Sequence, residues 1–295
     1  MLMGEHAVLR GKPALVAAVN ERLSVDVFPR DDELVRIESD LGFYCKPYYD
    51  LRIEAPFQFI LSAAMQCWDR RGVDITVRSS FASTVGLGSS AAVTVACVTA
   101  LTALNGEVFD LAAVFARSVK AMRGAQSGLG SGADVAAATY GGILRYERDG
   151  TCRPLKAELP EISLIYCGYK KPTPEVIRIV QAFESAHPSE ARAIFAEMEK
   201  RTLEAESALE KGNLEQMGRE MDRYHACQQA LGVSNEDLDL IAAGLSASPG
   251  MLGAKITGAG LGDCVFGLGA ADATVSGYEK LNVQLSTTGV HIEEG

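Results

Sequence analysis

The chain has 295 residues, a formal net charge of −10, and 47% hydrophobic against 22% charged residues. This is the balance of a soluble globular protein with room for one large domain or two ordinary ones. An acidic chain argues against a nucleic-acid partner, which needs a basic face, but not against a nucleotide, since a local nest of N–H groups holds a small anion in any background charge.

The seven cysteines are scattered and contain no CxxC pair. That usage reads as free thiols in a reducing compartment rather than a disulfide frame or a zinc site. There is no run of about 18 apolar residues for a membrane span and no signal peptide, so the expected location is cytoplasmic.

Met1-Leu2-Met3 runs straight into Gly4-Glu5-His6, so the chain is expected to begin inside a strand. Strand-like runs follow at 14–19, 23–28 and 35–38. Residues 54–71 have helical spacing, with Phe57, Ile60, Leu61, Ala64, Met65 and Trp68 on one side. Alternation over 74–78 predicts a strand that leads into Val85-Gly86-Leu87-Gly88-Ser89-Ser90-Ala91-Ala92 and a run of small apolar residues. Strand, glycine loop and helix in that order present free N–H groups and a positive helix end to a phosphate. No Lys-Ser/Thr follows the last glycine, so this is not the common P-loop. A tight turn before a closely packed helix would look the same.

A helix over 111–122 precedes a second glycine-rich loop, 127–134, then a short helix from Val135 and a strand at 140–146. Asp149-Gly150 is a hairpin turn signal. Glu158-Leu159-Pro160 marks a domain boundary, giving domains at 1–157 and 158–295. The second half reads as a strand at 162–167, helices at 175–186, 189–211, 213–230 and 237–245, and a strand at 253–257. A third glycine loop follows, Gly258-Ala259-Gly260-Leu261-Gly262-Asp263, then a strand at 264–268, a helix near 272–281 and a last strand at 288–293. The class is α+β or mixed α/β, in two domains, with α+β the first reading.

The order Gly4-Glu5-His6-Ala7-Val8, then Gly86-Leu87-Gly88-Ser89-Ser90-Ala91-Ala92, then Gly258-Ala259-Gly260-Leu261-Gly262-Asp263 resembles the superfamily of galactokinases, homoserine kinases, mevalonate kinases and phosphomevalonate kinases, the GHMP kinases. The likeness runs from residue 4 to residue 268. It implies an N-terminal domain like domain 2 of ribosomal protein S5, a ferredoxin-like C-terminal domain and an active site between them. The segment 4–15 and the approach to the third loop (231–234, 252–258) look most like mevalonate kinases. The stretch 130–138 and the Gly-Asp-Cys at 262–264 look like phosphomevalonate kinases.

The resemblance implies ATP and Mg²⁺ as cofactors, mevalonate or 5-phosphomevalonate as the small-molecule partner, and a homodimer, as relatives commonly form. Phosphorylation of the primary hydroxyl of mevalonate is the first reading. Phosphomevalonate kinase is the near alternative; an ATP-using decarboxylase or a non-catalytic metabolite sensor are the further ones. Asp134 matches the aspartate beside the acceptor hydroxyl; from local sequence alone it serves equally as the cap of the helix beginning at Val135. Gly86, Leu87, Gly88, Ser89, Ser90 and Ala91 match the ATP phosphate loop, with Ser90 on the metal. No acid lies between Asp110 and Asp134 to supply the second metal ligand seen in mevalonate kinases.

Glu5, His6, Thr173, Gly258 and Ala259 match substrate positions, His6 as a donor to a carboxylate or hydroxyl. The family lysine before the first motif has no counterpart after Met1. Leu261 and Asp263 stand where the family often has glycine. A phosphorylated acceptor would need extra cations, for which Arg10, Lys12, Arg123, Lys170 and Lys171 are the candidates.

Overall fold

The computed structural model describes residues 1–68, 71–79, 87–126, 128, 130–269 and 273–293. In chain order the first elements are β1 (Ala14–Ala17), β2 (Leu23–Arg30), β3 (Leu34–Ser39), β4 (Gly42–Pro47), α1 (Gln58–Cys67), β5 (Gly72–Ser79), α2 (Ser89–Leu104), α3 (Leu111–Ala125) and α4 (Ala133–Tyr140). There follow β6 (Ile143–Tyr146), β7 (Cys152–Pro154), β8 (Ile162–Tyr166), α5 (Thr173–Ala186), α6 (Pro188–Glu210), α7 (Leu214–Ala230), α8 (Glu236–Ser246), β9 (Met251–Thr257), β10 (Cys264–Gly269) and β11 (Glu279–Leu281).

The chain forms two compact units that interleave. One is built from residues 1–20 and 141–287, the other from the described residues among 21–83, 87–140 and 288–295. The division therefore does not follow the expected cut at 157, because β1 pairs with β6 and draws residues 1–20 into the unit that holds the second half.

In the second unit the sheet order is β2-β5-β3-β4, with β3 parallel to β5 and the other pairs antiparallel. Val35, Ile37, Val73 and Ile75 turn inward from its two central strands and are buried. Helix α2 is apolar on every side, which suits only a central position; it lies against α1, α3, α4 and β2. Helix α3 starts where the Asp110 carboxylate accepts from Ala112 N at 2.9 Å, and it buries Val114, Phe115, Ser118 and Ala121 along one stripe.

In the first unit, β1, β6 and β7 form one antiparallel sheet and β11-β8-β10-β9 a second. The core under the second sheet joins Ile165, Ile256 and Val265 to Leu238, Ile241 and Leu245 of α8. Side-chain oxygens of Asn213 and Asn235 cap α7 and α8. Helix α7 meets β9 at backbone distance: a Cβ on Gly218 would stand 2.0 Å from Leu252 O, and one on Gly253 2.1 Å from Gly218 O. Gly218→Ala forces that seam apart and is expected to cost about 2–3 kcal/mol. The midpoint of urea unfolding measures it, and an unchanged midpoint would contradict the packing.

Three expectations change. Over the described part of the helix expected near 272–281, the chain instead makes a turn with Gly277 at φ 89°, after which Glu279–Leu281 pairs with β8. No strand forms over the described part of 288–293; Val290 N instead donates to Thr139 O. The short helix begins at Ala133 rather than Val135. The hairpin at Asp149-Gly150 is present, with β7 as its second strand.

Candidate active site

The residues expected from the sequence fall into two groups, one in each compact unit. In the first unit Gly4 takes φ 104°, and a Cβ there would lie 2.5 Å from Ala14 Cα, so only glycine lets the first segment lie on β1. His6 is also left-handed, at φ 58°. Its Nε2 is 2.7 Å from Ala259 O. A carbonyl only accepts, so Nε2 carries the proton, and the neutral ring offers Nδ1 as an acceptor. Burial pulls the imidazole below the usual histidine range, against the upward pull of Ala259 O and Glu5. In that tautomer the neutral ring presents an acceptor at Nδ1, where the sequence reading expects a donor. Its Nδ1 is buried with no hydrogen-bond partner among the described residues, as is Glu5 Oε2.

Below this turn lies a charged pair that the sequence reading passed over. Lys255 Nζ donates to Glu5 Oε1 at 2.5 Å and to Ile256 O at 2.5 Å. Lys255 is fully buried and Glu5 is 2% exposed. Burial pulls the Lys255 ammonium below the usual lysine range, and Glu5 works against that pull. Tyr224 OH donates to Glu5 O at 3.0 Å and accepts from Gly4 N at 3.1 Å, while the Lys255 ammonium stands 5.3 Å from the Tyr224 ring centroid. The one signal in the sequence was a lone lysine within the otherwise uncharged strand 253–257, since a buried charge must be paired.

The third glycine loop completes this group. Gly258, Gly260 and Gly262 have φ of 91°, 88° and 141°. A Cβ on Gly260 would meet Val233 O at 2.3 Å, and Leu261 N donates to that same oxygen. Leu261 and Asp263 also take positive φ, 54° and 76°, where glycine is favoured. Glu5, His6, Gly258 and Ala259 are thus brought together. Thr173 opens α5 as an exposed residue after Pro172. Three of the five candidate cations are already paired: Arg10 with Glu184 at 2.8 Å, Lys12 with Glu199 at 2.6 Å and Lys170 with Asp263 at 3.4 Å. Arg10 also donates to His6 O at 3.1 Å, so it braces the left-handed turn.

In the second unit Gly86 lies outside the described residues. Leu87, Gly88, Ser89, Ser90 and Ala91 form the entry to α2, with Gly88 at φ 78° as the residue before the helix and no side chain capping it. Uncapped N–H groups at a helix start are donors for an anion. A Cβ on Gly88 would be 3.8 Å from Asp134 Cβ, so Asp134 stands beside the start of α2. Asp134 is exposed on the first turn of α4. Ser131 Oγ accepts from Ala133 N at 3.2 Å and takes the turn-closing part that Asp134 was also suited to. Among the described residues no side chain or N–H bonds the Asp134 carboxylate, and no group of three or more His, Cys, Asp or Glu could hold a metal ion. Nor, among them, is any helix long and apolar enough to cross a membrane.

The family model for the N-terminal domain of GHMP kinases matches residues 57–142, which hold α2 and Asp134. The model for the GHMP kinase C-terminal domain matches residues 205–279, which hold Lys255 and the third glycine loop. The chain belongs to the GHMP kinase family, small-molecule kinases of two-domain fold. Mevalonate kinase of Archaeoglobus fulgidus is 31% identical over 300 residues, covering all of this chain and 97% of that protein. Mevalonate kinase of Thermococcus gammatolerans is 30% identical over 332 residues, covering all of this chain and 96% of that protein. The solved structure of the Methanococcus jannaschii mevalonate kinase has the same fold, with a TM-score of 0.79 over 96% of this chain and 95% of its own, at 23% identity.

Proposed function

We propose that this chain is an ATP-dependent kinase that phosphorylates the primary hydroxyl of mevalonate to give 5-phosphomevalonate. The observation that carries this reading is identity along the whole chain to proteins named mevalonate kinase. The pairing of Arg10 and Lys12 with carboxylates supports it further, because an acceptor that already bears a phosphate needs cations to spare.

The residues present fit a nucleotide with Mg²⁺. Gly88 leaves the start of α2 open to phosphate oxygens, and Ser90 supplies a hydroxyl of the kind Mg²⁺ takes alongside water and phosphate. Gly86, Leu87, Gly88, Ser89, Ser90 and Ala91 would hold the phosphates, and Ser90 the metal. The bound magnesium nucleotide supplies the phosphoryl group and neutralises charge on its oxygens. Asp134 accepts the proton of the attacking hydroxyl or orients it. Glu5, His6, Thr173, Gly258 and Ala259 place the acceptor, with His6 Nδ1 accepting from one of its hydroxyls. Most of the rate in such a reaction comes from placement and charge stabilisation.

The test is turnover on a panel: mevalonate, 5-phosphomevalonate, 5-diphosphomevalonate, homoserine and galactose, each with ATP and Mg²⁺, reading ADP and CO₂. The expected result is ADP with mevalonate alone and no CO₂. ADP only with 5-phosphomevalonate overturns the choice of acceptor, and CO₂ makes the chain a decarboxylase. No turnover on any acceptor makes it a sensor.

A further inference from the structure

Asp263 is an aspartate held where glycine would be free of strain. Its φ is 76°, and only 8% of the residue is exposed. The backbone does not need its side chain: Asp263 N donates to Tyr169 O at 2.8 Å and Asp263 O accepts from Cys167 N at 3.0 Å, bonds that any residue makes. The carboxylate has a definite place. Oδ2 lies 3.3 Å from where a Cβ on Gly258 would be, directly over the third glycine loop, and 3.4 Å from Lys170 Nζ. Lys170 is 38% exposed, so its ammonium, with three donors, still reaches solvent after pairing once. Gly262 lets the segment carrying Lys170 come this near, since a Cβ there would meet Tyr169 O at 3.0 Å and Lys171 N at 3.1 Å. Strain kept in a loop that must approach a ligand calls for a functional reason.

We propose that Asp263 is a positioning residue: its carboxylate fixes the Lys170 ammonium beside the Gly258–Ala259 loop, where Lys170 binds an anionic group of the substrate pair. This rests on the kinase reading above. The anion is the nucleotide polyphosphate or the carboxylate of the acceptor, two sources of one chemistry. Placement and net charge predict opposite results here. If net charge governs, removing the Asp263 carboxylate leaves Lys170 uncompensated and tightens anion binding. If placement governs, the freed lysine samples many rotamers and binding weakens.

The experiment compares wild type with D263G, D263N, K170M and the D263G/K170M double variant. It reads melting temperature, kcat, separate KM values for ATP and mevalonate, and ATP affinity by calorimetry. D263G is expected to melt no lower than wild type, because glycine takes φ 76° freely. One KM is expected to rise about tenfold, the loss of one charge-assisted contact, with kcat within about twofold. A rise in KM for ATP identifies the polyphosphate, and a rise in KM for mevalonate identifies the carboxylate. K170M should match D263G, the double variant should be no worse than either, and D263N, whose amide oxygen still accepts from Lys170, should fall between D263G and wild type.

Unchanged or lower KM values in D263G, or additive losses in the double variant, overturn the proposal. If D263G melts lower, D263N carries the comparison, and wild-type KM values in D263N overturn it equally. Absence of wild-type turnover on mevalonate overturns the kinase reading instead. In that event the calorimetric arm decides, and ATP affinity unchanged across the variants overturns the Lys170 proposal as well.

Discussion

Asp134→Asn lowers turnover by roughly 10²–10⁴, the range for a lost acid–base group, and leaves ATP binding near wild type. The basis is the isolation of this carboxylate. It stands beside the start of α2, 3.8 Å from the Gly88 Cβ position, and no described residue bonds it. A carboxylate that does no structural work, placed next to donors suited to phosphate, is available for a proton. Stability is expected to change by no more than about 0.5 kcal/mol, since the substitution is on the surface and costs at most a weak helix-dipole contact. ATP affinity should hold or improve slightly, because one negative charge leaves the neighbourhood of a polyanion. Steady-state turnover and nucleotide titration measure the two quantities, and wild-type turnover would exclude Asp134 from the reaction.

Lys255→Met is expected to destabilise the fold by about 3–5 kcal/mol, as when one partner of a buried ion pair is removed. The pair is 2.5 Å long and essentially without solvent, and Glu5 Oε2 already lacks a partner. Removing the ammonium leaves a buried carboxylate with neither charge partner nor donor at Oε1. Ile256 O is spared, because Gln228 Nε2 also donates to it at 3.1 Å. The companion variant is Glu5→Gln with Lys255→Met, which removes both charges together. It should recover much of the lost stability, since an apolar or neutral replacement of a whole pair is often tolerated. Urea unfolding measures both. A Lys255→Met shift below about 1 kcal/mol would mean the pair is not a charged one.

Much of the fold is readable in the sequence wherever one local rule dominates. The apolar run after Gly88 could only be a central helix, and Asn213, Asn235 and Asp110 sit one residue ahead of the helices they cap. The failures come where tertiary pairing decides. Residues 279–281 are charged enough to suggest a helix surface, yet they become a strand because β8 offers an unpaired edge. Strand β4 has too little alternation to stand out and exists through its register with β3. For the candidate site, the three glycine loops and Asp134 are visible as patterns of residue type. The tautomer of His6 is not, because it depends on Ala259 O, 253 residues away. Lys255 and Tyr224 belong to the same case: their importance lies in whom they touch.

The interleaving of the two units has a consequence for synthesis. Residues 1–20 leave the ribosome well before the rest of their unit, yet Glu5 must find Lys255, and 250 residues separate them. At about 5–20 residues per second the N-terminal segment waits roughly 10–50 s for its partner strand. Most of the other unit, the described residues among 21–83 and 87–140, emerges within that interval, and only its last segment, within 288–295, comes later. Translation therefore delivers most of that unit before the other can be completed. The Gly-Glu-His turn gains its buried charge partner only when β9 arrives, so a nascent chain arrested before Lys255 leaves Glu5 without that partner.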